Sequence, residues 1–184
     1  GMMPTPPYIH EKLLDKDRYQ NVYAKPLGSA ACPTAGLHFT PEVLRRIKER
    51  GIDTQTVCLH VGAGTFLPVK SSSVSEHPMH REPFSVSIDI LRKIRVCAGN
   101  VIAVGTTSVR TLESLYYLGV SVIEDGEPSD VRQWAPYDRE YPYSTVEALQ
   151  AIVDYLAQRG LTELKVGTRI IIVPGFRFRI VDML

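Results

Sequence analysis

The sequence predicts an α/β fold: a mixed sheet with helices packed on it, led by an extended N-terminal arm. Three observations carry this. Capped helical stretches alternate with short apolar runs along most of the chain. The composition, 44% hydrophobic and 22% charged, is that of an ordinary globular protein. The opening run Met3-Pro4-Thr5-Pro6-Pro7-Tyr8-Ile9 is too proline-rich for a core element. At 184 residues the chain fits one domain and can bury a sizeable core without staples. Residues 1–18 read as arm and linker, residues 19–184 as the α/β domain.

The elements follow in order. Thr40 is a natural N-cap, Pro41 suits the first helical position and Gly51 is a stop, so a helix should span them. Its Val43, Leu44 and Ile47 share a face. Residues 52–61 alternate as a strand, ended by Gly62-Ala63-Gly64-Thr65. Residues 70–83, rich in Ser, His and Pro, read as a loop. Ser87 to Ala98 reads as a helix stopped by Gly99. Val101 to Val104 is wholly apolar, like a strand buried on both faces. It runs into Gly105-Thr106-Thr107-Ser108 and a helix from Val109 to Leu118, with Ser108 as N-cap; residues 120–123 read as a further strand. Residues 124–142 read as an extended excursion. Ser144 and Glu147 form a capping box for a helix to Arg159, with Val146, Leu149, Ile152, Val153 and Leu156 as its apolar set. Strands are expected at 168–173 and 176–181, around Pro174-Gly175.

Composition excludes several classes. The 21 basic against 20 acidic residues leave +1, so contact with nucleic acid must come from a local patch. No apolar run approaches the roughly 18–20 residues that cross a bilayer, and the N-terminus lacks the pattern of a secretory signal. Cys32, Cys58 and Cys97 are odd in number and form no Cys-x-x-Cys, which suits a reducing cytoplasm. Gly1 before Met2 reads as a tag remnant. Both ends look cut, as in a piece of a longer protein.

Four groups could carry chemistry. In the turn Gly105-Thr106-Thr107-Ser108, backbone amides and hydroxyls converge at the positive end of a helix, suited to a carboxylate or phosphate. Arg110 follows in the first turn, where the dipole disfavours a cation. It is not a P-loop, since no Gly-Lys-Ser/Thr follows, and taken alone the turn reads first as an ordinary capped helix. Gly62, Gly64, Thr65 and Phe66 form a Gly turn that permits close approach of a ligand, without a dinucleotide fingerprint. His77, His80 and Glu82 could supply a general base and an orienting partner, or bind a metal; proton transfer ranks first. Basic residues lie in two groups: Arg45, Arg46, Lys48 and Arg50 on the first helix, and Arg177 and Arg179 alternating with Phe176 and Phe178. The helical group reads first as a salt-laced exposed face with Glu42 and Glu49. The two phenylalanines read as core.

These stretches resemble the S-adenosylmethionine:tRNA ribosyltransferase-isomerases of queuosine biosynthesis. The runs that carry it are Pro4 to Ile9, Arg18 to Lys25, Pro33 to Thr40, Leu59 to Val69, His77 to Glu82, Val104 to Glu113, and Pro174-Gly175 with Phe176 to Leu184. The family usually has Leu at position 5 and Ala at position 32, where this chain has Thr5 and Cys32. Residues 124–143 match no part of it. The resemblance implies that a portion with a β-barrel precedes this chain and that a segment with an Asn-Phe-His motif follows, so that the chain is the later α/β portion of a larger two-domain enzyme.

It further implies a reaction with S-adenosylmethionine as co-substrate and no metal. The donor passes its ribosyl group to an aminomethyl-deazaguanine base in the tRNA anticodon. Isomerisation then gives epoxyqueuosine, with loss of adenine and methionine. The sulfonium acidifies the adjacent carbon, and His77, His80 or Glu82 could take that proton. Gly105 to Ser108 with Arg110 could hold the methionine carboxylate. Phe66 or Glu82 could face the sulfonium, in a pocket shared with His60, Gly62, Gly64 and Thr65. Arg45, Arg46, Arg177 and Arg179 could meet the tRNA. The expected full-length protein is a monomer, and the fragment alone should fold but be nearly inactive. Two other readings stay open: a tRNA-binding module or non-catalytic paralogue, and a metal-dependent hydrolase built on His77, His80 and a third ligand.

Overall fold

The computed structural model describes residues 19–24, 29, 31–62 and 73–184. The expected arm at 1–18 and the residues Gly64, Thr65 and Phe66 lie outside these. Five helices are described: α1 (Pro41–Glu49), α2 (Ile88–Val96), α3 (Thr106–Asp125), α4 (Ala135–Asp138) and α5 (Thr145–Gln158). Three strands accompany them: β1 (Cys58–Leu59), β2 (Glu82–Ser87) and β3 (Glu163–Thr168). They form one antiparallel sheet in the order β1-β2-β3. Among the described residues, parallel pairing is confined to two single bridges, Ile102 with Met183 and Val131 with Thr168. The α/β class therefore holds.

β2 shows why the sheet forms. Glu82, Phe84 and Val86 point inward, while Pro83, Ser85 and Ser87 point outward or to the rim. This is the period-2 alternation of a half-buried strand. β3 answers it with Leu164 and Thr168 inward, in a register that sets Glu82 opposite Thr168. Ser87 ends the strand and caps α2, its hydroxyl accepting from Ile90 N at 3.3 Å.

α3 is the central element, buried from Val109 to Ser121 apart from Arg110 at its edge. It lies against α5, and Gly119 sets how close. A Cβ there would fall 2.1 Å from the Ala148 carbonyl oxygen. That oxygen belongs to α5's backbone and cannot swing away. Gly119→Ala would gain about 1 kcal/mol in helix propensity and lose about 1–3 kcal/mol or more to overpacking. The expected result is net destabilisation, read as a lower urea midpoint. A rise in midpoint would show that α5 is not seated on Gly119.

Several sequence expectations are corrected. The strand over 52–61 shrinks to Cys58–Leu59, because β2 offers partners only at Ser85 and Phe84, with His60 N adding one bond to Pro83 O at 3.0 Å. The loop over 70–83 ends early, since Glu82 and Pro83 already belong to β2. Val101 to Val104 is not a doubly buried strand. It pairs along one edge with Asp182 and Met183, and Ile102 is 58% exposed.

α3 begins at Thr106 with Gly105 as N-cap at φ +85°, so Ser108 is no cap; its hydroxyl donates to Val104 O at 2.8 Å. Nothing interrupts α3 before Gly126, at φ +83°, so residues 120–123 are helix rather than strand. The strand expected at 168–173 lies earlier, at Glu163–Thr168. Residues 176–181 form no strand, because the amides of Arg179, Ile180 and Val181 bond to a side chain instead. Phe176 packs against the core as expected, but Phe178 is 52% exposed, and Val146 stays outside the core of α5. α1 keeps its Thr40 cap, yet none of its residues is buried.

Candidate active site

Three elements bring the chemistry together. β2 turns Glu82 inward. The extended residues before it place His80 two positions away, hence on the same face. The first turn of α3 supplies Arg110. His80 Nε2 lies 2.9 Å from Glu82 Oε1, and Arg110 Nη1 donates to Glu82 Oε2. Glu82 is 3% exposed, and the Arg110 side chain 13%. Arg110 also donates from Nε to Ile170 O at 3.0 Å, and from Nη2 to Thr168 O at 3.4 Å and His80 O at 3.5 Å. Burial pulls its guanidinium below its ordinary pKa, and the Glu82 carboxylate opposes that.

In an ion pair with Arg110, Glu82 accepts only, so the proton between it and His80 sits on Nε2. No other partner of the ring is seen among the described residues. A carboxylate that orients an imidazole through one nitrogen and leaves the other without a partner among the described residues is an arrangement suited to general-base work.

Of the other expected residues, Gly62 lies beside this relay. A Cβ on Gly62 would come 3.9 Å from His80 Cδ2, so the Gly turn begins beside the imidazole. His60 Nε2 lies 3.7 Å from Cys58 Sγ. The His77 ring has no partner among the described residues; its carbonyl accepts from Gln133 Nε2 at 2.6 Å. Thr106 and Thr107, the first residues of α3, have amides without intrahelical acceptors, about one turn from Arg110. A Cβ on Gly105 would lie 3.0 Å from the Ala35 Cβ, so the 34–38 turn packs on this end of the helix. Arg110 is turned inward onto Glu82 and backbone carbonyls rather than standing at the mouth of the turn.

The basic residues divide. Arg45 and Arg46 are held by Glu42 at 2.7 and 2.9 Å, and Arg45 also by Glu49. Arg179 lies over the Tyr116 ring, 4.8 Å from its centroid, while Arg177 is exposed. Among the described residues no group of three His, Cys, Asp or Glu could hold a metal, and no helix is long and apolar enough to cross a membrane.

Sequence reasoning missed Gln133, Asp130 and the inward role of Glu113. Gln133 and Asp130 carry no periodic signal. Glu113 did show one, an acid set between the buried Leu112 and Leu115 of a helix.

A family model described as queuosine biosynthesis protein matches residues 1–184. The chain belongs to that family. Among its relatives is one from Finegoldia magna named S-adenosylmethionine:tRNA ribosyltransferase-isomerase. The two are 43% identical, over 100% of this chain and 43% of that relative's length. The chain thus spans less than half of the curated relative it matches. No solved structure matches it.

Proposed function

We propose that this chain is part of an S-adenosylmethionine:tRNA ribosyltransferase-isomerase and carries its proton-abstracting centre. The observation that supports this most is the relay His80–Glu82–Arg110, in which a buried carboxylate held by Arg110 orients the imidazole through Nε2. In this reading His80 Nδ1 removes the proton from the carbon next to the sulfonium. Glu82 orients the ring and stabilises the imidazolium. Arg110 holds Glu82 in place and is a positioning residue.

The free amides of Thr106 and Thr107 take the methionine carboxylate, with Ser108 beside them. Gly62, with Gly64, Thr65 and Phe66 following it in sequence, approaches the donor. Exposed Arg177 meets tRNA phosphate; Arg45 and Arg46 join it only by exchanging their glutamates for phosphate. The reaction so drawn invokes no metal, and the protein works in the cytoplasm as a monomer when complete.

The test is turnover of S-adenosylmethionine with tRNA bearing the aminomethyl-deazaguanine, in the full-length enzyme. His80→Ala is expected to lower kcat by about 10²–10⁴-fold, with donor affinity by calorimetry changed little. Turnover left intact would overturn His80 as the base. Absence of donor binding in the wild-type full-length protein would overturn the activity itself.

A further inference from the structure

Residues 124–143, unplaced motif by motif but inside the family match over residues 1–184, run past the site. Val131 N donates to Gly167 O at 3.1 Å, Arg169 N to Val131 O at 2.9 Å, and Ile171 N to Gln133 O at 3.2 Å. Residues 131–133 therefore lie along 167–171 as a parallel edge. From that edge two side chains reach the strand of residues that carries His80.

Gln133 takes hold at two points. Its Nε2 donates to His77 O at 2.6 Å, and its Oε1 accepts from Met79 N at 2.9 Å. The amide thus reads the backbone on both sides of Pro78. Asp130 takes the third point. It pairs with Arg81, with Nη2 donating at 3.1 Å to Oδ1, and the same Oδ1 accepts from Gly167 N at 2.7 Å. Arg81 crosses Gly167 to get there: a Cβ on Gly167 would lie 2.4 Å from Arg81 Nε. The guanidinium hydrogen bond holds the Asp130 carboxyl below the usual carboxylate range.

We infer that Gln133 and Asp130 are positioning residues for the general base. Resting on the reading of His80 given above, they act by clamping residues 77, 79 and 81, so that the alternating residues His80 and Glu82 are presented together on the opposite face. Neither touches substrate. A loop tied at its flanks holds the Nε2–Glu82 bond in one geometry. An untied loop with a proline in it would sample several.

The experiment follows the His80 ring Nε2–H by proton–nitrogen NMR in the 184-residue chain. It compares wild type, Gln133→Ala and Gly167→Ala. Gly167→Ala moves the tip of Arg81 off Asp130 and leaves Gln133 untouched, so it tests the clamp if Gln133→Ala does not fold. Wild type is expected to show a protected Nε2–H. In both variants its solvent exchange should quicken by about tenfold or more, with the Met79 amide also exposed in Gln133→Ala. A merely structural Gln133 would expose Met79 and leave the ring proton unmoved in both variants, and that result overturns the clamp. The ring signal does not depend on what the site catalyses. A quickened ring proton alongside turnover that survives His80→Ala would sink the function and keep the clamp.

Discussion

Arg110→Met should cost the fold about 3–5 kcal/mol, far more than the usual cost of a substitution at a partly exposed position. The reason is burial on both sides of the pair. Glu82 is 3% exposed and sits on the core face of β2 with Phe84 and Val86. Removing the guanidinium takes the Arg110 hydrogen bond from a carboxylate buried in that layer. The carbonyls of Thr168 and Ile170 also lose their donor. A methionine fills the volume and answers none of these charges.

The double variant Glu82→Gln/Arg110→Met separates charge from shape. With both charges gone, most of the penalty should disappear, because a buried ion pair stabilises little against a neutral pair of similar volume. The coupling from a full cycle in urea should exceed about 1 kcal/mol. Strict additivity, or a single Arg110→Met variant within 1 kcal/mol of wild type, would mean that the pair is solvated and that Glu82 is free to move. The relay to His80 would then lose its fixed geometry.

How much of this was legible beforehand depended on whether the signal was local. The capping box at Ser144 and Glu147 and the Thr40-Pro41 start are formed by neighbours in sequence, and both helices begin where these residues require. β2 hid because its first residues are Glu82 and Pro83, an acid and a residue without a ladder donor. Its alternation of Phe84 and Val86 with Ser85 and Ser87 was the readable part. Residues 176–181 look like a strand by composition, yet the amides of 179–181 are claimed by Glu113, more than sixty positions away.

The site followed the same division. His77, His80 and Glu82 stood out as a cluster, and Arg110 as a cation in a poor place for the helix dipole. That Arg110 meets Glu82 across 28 residues is a product of β2 lying beside the first turn of α3. The holds of Gln133 and Asp130 span 54 and 49 positions and follow no period.

Glu113 carries the second large effect. Its two oxygens accept from Arg179 N at 2.9 Å, Ile180 N at 3.0 Å and Val181 N at 2.8 Å, deep against α3. Glu113→Ala strands three amides, each costing about 1–3 kcal/mol when unsatisfied in the interior. Water entering the vacated space would offset part, so a loss of about 3 kcal/mol is expected, with fast hydrogen exchange at 179–181. Glu113→Gln should lose less. One oxygen still serves two amides, and only the third meets an NH₂ group.

The pH dependence gives an independent check. Burial pushes the Glu113 carboxyl above its ordinary range, while the three amides and Arg179 pull it back only in part. A carboxyl raised in the folded state binds its proton more tightly there than in the unfolded chain. Its contribution is therefore fully present below the unfolded value, about 4.3, and falls as pH rises through the folded value. The stability difference between wild type and Glu113→Gln, which does not titrate, should shrink from pH 4 to neutrality. A difference that grows over that range would mean that the amides outweigh burial. The segment would then be held by a fully charged anchor.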